Sequence, residues 1–247
     1  MKEIVLAGGC FWGMEGYFEK VYGVLQVTSG YANGEGVPNY RDLCAGLYDH
    51  AEAIRVVYDE EKTSLYHLLA HFFRVVDPTT LNRQGNDFGK QYRSGIYYLD
   101  PSEEAGIRNF VSLYEKDYKK PLVVEIEPVD NFFKAEEYHQ DYLKKNPGGY
   151  CHIPLWIADE IFIPIRVYDV ISAKPFLDFP ENNDPGIYVN EEGVPLYLSK
   201  QRRGETFEGD PLVDLPTDEL YFVPEEEMIS LGYGYLLDHL DHKKEES

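Results

Sequence analysis

Residues 3–22, EIVLAGGCFWGMEGYFEKVY, contain a change of hydrophobic period that restricts the kind of fold the chain can form. Residues 3–7 are a short apolar run that stops at Gly8, which is typical of a buried strand. From residue 13 to residue 22 the large apolar side chains recur at a helical spacing. The stretch therefore predicts a strand, a glycine turn and a helix, with Cys10 at the turn.

The same two periods alternate outward from this stretch through the first 154 residues. The further predicted elements are strands at residues 25–32, 51–58, 95–99 and 122–127, and helices at residues 65–76 and from Pro101 to about residue 118. The order β-α-β-β-α-β predicts an α+β sandwich of the split βαβ (ferredoxin-like) plait type.

The composition excludes several classes of protein. With 247 residues, 43% of them hydrophobic, the chain can form a packed core and is not disordered. The net charge of −21 repels phosphate, so we expect no nucleic-acid partner. No long apolar run suggests a membrane span or a secretory signal, and the three cysteines are too few for a disulfide scaffold. We therefore expect a location in the reducing cytoplasm and no membrane partner.

The charge changes along the chain and indicates a domain boundary near residue 155. Residues 155–247 hold 21 acidic and 7 basic side chains, a higher acidic density than in the preceding part. Pro154 and Pro164 flank the change. We predict one domain over residues 1–154 and a smaller, acidic, mainly β or irregular extension over residues 155–247.

Cys10 is the first candidate for chemistry. A thiol at the start of a helix faces unpaired backbone N–H groups and the positive end of the helix dipole, so we expect its pKa to lie below the ordinary value of about 8.5. The adjacent Phe11 and Trp12 can form a small apolar pocket beside it. A buried, inert cysteine and an ordinary pair of core aromatics are the alternatives that the residues alone leave open.

Residues 9–15, GCFWGME, resemble the active-site signature of the A-type peptide methionine sulfoxide reductases. Further stretches match that family in order and spacing: PNYR (38–41), HAEA (50–53), DPTTLNRQGND (77–87), QYRS (91–94) and YHQDYL (138–143). The resemblance covers residues 1 to about 154. One departure is Tyr48-Asp49, where relatives often have Thr-Gly, which leaves the substrate preference open.

The resemblance implies a reaction, the thiol-dependent reduction of methionine-S-sulfoxide. Cys10 would attack the sulfoxide sulfur, and the departing oxygen would need a proton donor. Glu52 matches the family's acid, which requires a pKa raised by an apolar pocket. The other implied roles are phenolic donors for Tyr40 and Tyr92, a supporting carboxylate for Asp87, and contacts to the substrate methyl group for Phe11 and Trp12.

The resemblance also implies how Cys10 is regenerated. Its sulfenic acid would be captured as a disulfide by Cys151, the match to the family's resolving cysteine, and thioredoxin would reduce that disulfide. Gly13 stands where some relatives carry a resolving cysteine, and Cys44 matches a position that is usually buried and not required. Direct reduction of Cys10 by glutathione is the alternative. We expect no cofactor and no metal, since the histidines lack ligand spacing with the cysteines.

The extension carries fragments that resemble the B-type methionine sulfoxide reductases: GIYVN (186–190), GVPLY (193–197), SK (199–200), ELYFVPEEEM (219–228) and GYG (232–234). No cysteine follows Cys151, so the B-type nucleophile and its zinc cysteines are absent. We therefore expect an inactive remnant with a structural role, and an unrelated acidic extension is the alternative. For the whole chain, the competing hypotheses are a non-catalytic sulfoxide-binding or scaffold protein and a thiol peroxidase that uses Cys10.

Overall fold

The computed structural model describes residues 1–115, 118–159, 186–189, 195–198 and 221–224. These residues divide into two compact units. The first consists of residues 1–60 and 68–159, and the second joins residues 61–67 with the strands of the C-terminal part. None of the helices in the described ranges has both the length and the apolar character that a membrane span requires.

The helices and strands follow one another in a mixed order. They are β1 (Lys2–Gly8), α1 (Phe11–Phe18), β2 (Val24–Ala32), α2 (Tyr40–Cys44), β3 (Ala51–Tyr58), α3 (Leu65–Val75), β4 (Arg83–Gln84), β5 (Asp87–Phe88), β6 (Ser94–Tyr98), α4 (Glu104–Glu115), β7 (Glu125–Pro128), β8 (Phe132–Lys134), α5 (Tyr142–Lys145), β9 (Gly186–Val189), β10 (Pro195–Leu198) and β11 (Tyr221–Pro224). Short 3₁₀ turns at Lys90–Tyr92, Pro101–Glu103, Glu137–His139 and Leu155–Asp159 connect some of them.

Six strands of the first unit form one mixed sheet in the order β7-β6-β1-β3-β2-β8. Only the β6–β7 pair in this sheet is parallel, and its other neighbours are antiparallel. Strand β3 lies between β1 and β2, which α1 connects, and α1 packs against all three strands. The predicted α+β class is confirmed.

Strand β3 brings a carboxyl group to the buried face of the sheet. Its side chains at positions 52, 54 and 56 point to one side because successive residues of a strand alternate. Ile54 and Val56 are fully buried, and Glu52 shares their face near the start of the strand, opposite Tyr31 of β2. The fold thus places an acid where the pattern of the strand demands an apolar residue.

Element boundaries differ from the predictions for local reasons. Helix α1 begins at Phe11 and ends at Phe18, earlier than the predicted residues 13–22. Pro101 opens a 3₁₀ turn, in which the Asp100 carboxylate accepts a hydrogen bond from the Ser102 N–H at 2.9 Å, before α4 begins at Glu104. Residues 116–117 of the predicted helix lie outside the described residues. Helices α2 and α5 are too short to show a period in the sequence.

The C-terminal part contributes three short strands. Strand β9 pairs with β10 and with β11, both antiparallel. The strands overlap three of the stretches that resemble B-type reductases, at residues 186–190, 193–197 and 219–228. The remaining two stretches, residues 199–200 and 232–234, lie outside the described residues, so the predicted B-type remnant stays a prediction.

Candidate active site

A sharp turn between β1 and α1 presents the Cys10 thiol. Gly9 has φ +84°, a backbone conformation that residues with a side chain rarely adopt. A Cβ at this position would also lie 2.5 Å from Cβ of Gln84. Cys10 is the residue immediately before α1, and it is 7% exposed. The backbone N–H groups of Trp12 and Gly13 face its sulfur, as the predicted helix start requires.

The direction of the Cys10 pKa shift is opposite to the sequence-based prediction. Burial raises the pKa of the thiol well above its ordinary value, and the nearby Glu52 and Asp87 carboxylates raise it further. The two backbone N–H groups lower the pKa, but their effect is smaller than that of burial and charge. Cys10 is therefore a neutral thiol at neutral pH.

Glu52 has the properties that a proton donor needs. Its carboxyl group is 1% exposed, and Oε2 accepts a hydrogen bond from the Phe11 N–H at 3.2 Å, next to Cys10. Burial raises the pKa of Glu52 to about 8, the Asp87 carboxylate also raises it, and the Phe11 N–H lowers it in part. Most molecules therefore carry a proton on Glu52 at pH 7.

The aromatic side chains after Cys10 form two different contacts. Phe11 is buried, with the rings of Tyr31 and His139 at centroid distances of 5.8 and 5.1 Å. Trp12 is partly exposed, stacks on Tyr142 at 3.7 Å, and donates a hydrogen bond from Nε1 to Nδ1 of His139 at 3.0 Å. The pair forms an apolar wall, and the contacts with Tyr142 and His139 hold its two rings in place.

Tyr40 and Tyr92 reach the same place from separate elements. Tyr40 begins α2, and its ring stacks with Phe11 at 6.5 Å. Tyr92 ends the Lys90–Tyr92 turn. Burial raises the pKa of both phenols, and the Glu52 carboxylate is the next cause in each case. Both phenols are therefore protonated donors beside Glu52.

Asp87 lies on the hairpin of β4 and β5. Its Oδ2 is buried without a hydrogen-bond partner among the described residues, 3.9 Å from Nδ1 of His152. The Asp87 carboxylate raises the pKa of Cys10, Glu52 and Tyr92, so its charge is felt throughout the site. The structure thus gathers Asp87 with the other predicted residues.

The three cysteines are all free thiols. Cys151 donates a hydrogen bond from Sγ to the Ile153 carbonyl oxygen at 3.0 Å, and its Sγ would lie 2.9 Å from a Cβ built at Gly13. Cys151 therefore sits against the first turn of α1, on the helix that begins after Cys10. Cys44 is exposed at the end of α2, so the expectation of a buried Cys44 is wrong.

Sequence reasoning missed a group of polar residues behind the aromatic wall. Glu136 accepts hydrogen bonds from the Tyr31 hydroxyl at 2.6 Å and from the Tyr40 N–H at 2.9 Å. His139 is buried, and burial lowers its pKa, so it is neutral and accepts from Trp12. His139 belongs to the matched stretch YHQDYL (138–143), which was the available signal. Glu136 had none.

The described part of the chain contains no group of three or more His, Cys, Asp or Glu side chains that could hold a metal ion. The site instead offers the Cys10 sulfur, which can accept an oxygen atom, and the Glu52 carboxyl group, which can give a proton to that oxygen. The fold and the site together define the class of thiol-dependent oxidoreductases. The family model for peptide methionine sulfoxide reductase matches residues 2–165. The chain belongs to this family, and the prediction from the sequence is confirmed.

Relatives of this chain share its first part. "Peptide methionine sulfoxide reductase MsrA" of Clostridium botulinum (strain Okra / Type B1) is 54% identical over 156 residues, which are 63% of this chain and 99% of that protein. The crystal structure of Mxr1 from Saccharomyces cerevisiae in reduced form has a TM-score of 0.59 at 39% identity and covers 62% of this chain and 90% of its own. Methionine sulfoxide reductase A of Corynebacterium diphtheriae has a TM-score of 0.57 at 35% identity, over 61% of this chain and 77% of its own.

Proposed function

We propose that this chain reduces methionine-S-sulfoxide in oxidised proteins and peptides, with free methionine sulfoxide as a second substrate, through a sulfenic acid on Cys10. The observation that carries the proposal is the pairing of the buried Cys10 thiol with the Glu52 carboxyl group, whose pKa is raised to about 8. Two neutral groups side by side suit a neutral, polar sulfoxide better than they suit an ion.

The first step moves one oxygen atom and two electrons. Cys10 Sγ attacks the sulfoxide sulfur while Glu52 gives its proton to the sulfoxide oxygen. The oxygen passes to Cys10 as its bond to the methionine sulfur breaks, and the thiol proton returns to Glu52. Methionine sulfur is reduced and Cys10 is oxidised to the sulfenic acid. Tyr40 and Tyr92 donate hydrogen bonds to the oxygen, and Phe11 and Trp12 enclose the methyl group.

The second step uses Cys151. Its sulfur attacks the sulfenic acid, a Cys10–Cys151 disulfide forms, and the hydroxyl group leaves with a proton as water. The position of Cys151 beside Gly13 supports this role, because Gly13 lies in the first turn of α1, only three residues after Cys10. Thioredoxin, a dithiol reductant, then reduces the Cys10–Cys151 disulfide by thiol–disulfide exchange, which restores both thiols and leaves thioredoxin oxidised.

Replacing Cys151 with serine should separate the two steps. We expect methionine formation with dithiothreitol to stay within about threefold of the unmodified chain, since the small thiol reduces the sulfenic acid directly. Turnover supported by thioredoxin should fall about 100-fold or more, because no disulfide is available for exchange. Parallel assays with the two reductants measure this, and full activity with thioredoxin would show that an external thiol, in this assay thioredoxin itself, resolves the sulfenic acid.

Replacing Gly13 with alanine should displace Cys151 without weakening the helix. The new Cβ would lie 2.9 Å from Sγ of Cys151, which must move, while alanine is the better helix former by up to about 1 kcal/mol. We expect turnover with thioredoxin to fall about tenfold and turnover with dithiothreitol to stay unchanged. Gly16→Ala is the matched control, because its nearest neighbour, Leu155, lies at 3.4 Å. Equal effects of the two variants would contradict the prediction.

The direct test of the function is turnover of dabsylated methionine sulfoxide supplied as separated R and S epimers, with thioredoxin and its reductase. Reduction of the S epimer alone supports the proposal. Absence of turnover by folded protein would favour a sulfoxide-binding or scaffold role. Turnover of peroxide without turnover of sulfoxide would favour a thiol peroxidase, although that activity leaves Phe11, Trp12 and Glu52 without a role as a set.

We also infer the arrangement of the chain beyond its site. Residues 1–154 form the catalytic domain, with a ferredoxin-like plait at its centre, an inference that the strand order β6-β1-β3-β2 supports. Residues 155–247 form an acidic extension that retains fragments of a B-type reductase without its cysteines. Dependence on thioredoxin would suit a cytoplasmic location, where thiols are kept reduced.

A further inference from the structure

Glu15 is a second buried acid, and the chemistry proposed above does not use it. It lies on α1 and is 2% exposed. Burial raises the pKa of Glu15 to about 7, while the backbone N–H groups of Asp141 and Tyr142 face the carboxyl group and lower the pKa in part. A buried carboxyl group on one helix thus finds its hydrogen-bond donors on the main chain of a distant segment.

The segment that supplies these N–H groups follows α1 closely. The ring of Tyr142 stacks on Trp12 at 3.7 Å. Leu143 packs beside Gly16, and its Cδ1 lies 3.6 Å from the position of a Cβ there, an ordinary van der Waals distance. At the end of the helix, Lys144 forms an ion pair with Glu19 at 2.9 Å. Three contacts and the Glu15 carboxyl group therefore hold α5 against α1.

The hold on α5 extends to Cys151 through a short chain of contacts. The Asn146 N–H donates to the Tyr142 carbonyl oxygen, and the Gly149 N–H donates to the Asn146 carbonyl oxygen, each at 2.8 Å. A Cβ at Gly149 would lie 3.2 Å from both Tyr142 and Leu143, so this glycine rests on α5. Only one residue separates Gly149 from Cys151. Displacement of residues 141–142 must therefore move the thiol.

We propose that Glu15 is a positioning residue for disulfide formation: it fixes residues 141–142 against α1 and thereby places Cys151 within reach of the Cys10 sulfenic acid. This inference rests on the proposed function. Glu15 touches neither the sulfoxide nor the reacting sulfurs, so it acts on the second step alone. Glutamine keeps one carbonyl oxygen but replaces the second carboxyl oxygen with an NH₂ donor, so it offers fewer acceptor sites to the two N–H groups.

Glu15→Gln should slow the second step and spare the first. In a rapid-quench experiment with one equivalent of methionine-S-sulfoxide, we expect the rate of methionine formation to stay within twofold. The rate at which the Cys151 thiol is consumed should fall at least tenfold, and turnover with thioredoxin should fall with it. Turnover with dithiothreitol should not change. In the Cys151→Ser background, Glu15→Gln should have no further effect.

Two controls keep this test decisive. Glu104→Gln makes the same substitution at an exposed acid that pairs with Arg108, and it should change neither step. Lys144→Ala loosens the same segment from the surface, leaves the core intact, and should slow disulfide formation two- to threefold. The inference is overturned if Glu15→Gln slows both steps equally, slows neither, or adds to Cys151→Ser. Failure of the proposed function would differ, since no variant would then form methionine.

Discussion

Replacing Cys10 with serine should abolish the reduction of methionine sulfoxide, with a loss of at least about 10⁴-fold with either thioredoxin or dithiothreitol. A serine hydroxyl occupies the same position before α1 but is a poor nucleophile toward sulfur and cannot form a sulfenic acid. The buried site keeps its shape, so the thermal midpoint of unfolding should change little. The measurement is methionine release from the S epimer, quantified by chromatography.

Cys44→Ser is the matched control for this prediction. Cys44 is exposed at the end of α2, and serine retains a hydroxyl group that can replace the thiol beside Tyr40. We expect its turnover to stay within about threefold. Residual turnover of Cys10→Ser above the reaction without enzyme, or loss of activity in Cys44→Ser, would move the nucleophile away from Cys10.

Replacing Glu52 with glutamine should have the second largest effect, a fall in turnover of about 10²–10⁴-fold. Glutamine has the same shape and can donate a hydrogen bond, but it cannot give a proton to the sulfoxide oxygen. The binding of substrate should change less than its conversion, so the loss should appear in kcat rather than KM. An unchanged kcat would assign the proton donor to Tyr40 or Tyr92 instead.

The pH dependence of turnover is an independent test of Glu52 as the proton donor. Its folded-state pKa of about 8 lies above its ordinary value of 4.5, so the proton needed for catalysis is present below pH 8. Turnover of the unmodified chain should therefore fall as pH rises through about 8, and Glu52→Gln should lack this fall. Glu104→Gln, at an exposed site, should retain it.

The same shift predicts that Glu52→Gln stabilises the fold. Between the unfolded and folded pKa values the folded protein binds more protons than the unfolded chain, so its stability decreases as pH rises through that range. Removing the acid removes this cost. At pH 8 the thermal midpoint should rise by about 2–4 °C, which corresponds to about 1 kcal/mol. A lower midpoint would indicate that the hydrogen bond from Phe11 outweighs the burial of charge.

The place of Cys10 was predictable because the residues that determine it are close together in the sequence. The glycine turn, Cys10 and the start of α1 follow from residues 3–22, whereas Glu52 was predicted only from its match to the family motif HAEA (50–53). The direction of the Cys10 pKa shift was not predictable. It depends on how much protein covers the thiol and on carboxylates that arrive from β3 and β5, whereas the sequence shows only the helix that follows it.

The sequence by itself determined the α+β class, the family, and the residues gathered at the site, because periods and motifs are properties of neighbouring residues. Only the tertiary structure decided their electrostatic states and supports. Burial sets the neutral forms of Cys10 and Glu52. The contacts of Glu15 and Glu136 join segments about a hundred residues or more apart. Such contacts depend on distances between elements in three dimensions, and no spacing along the chain records those distances.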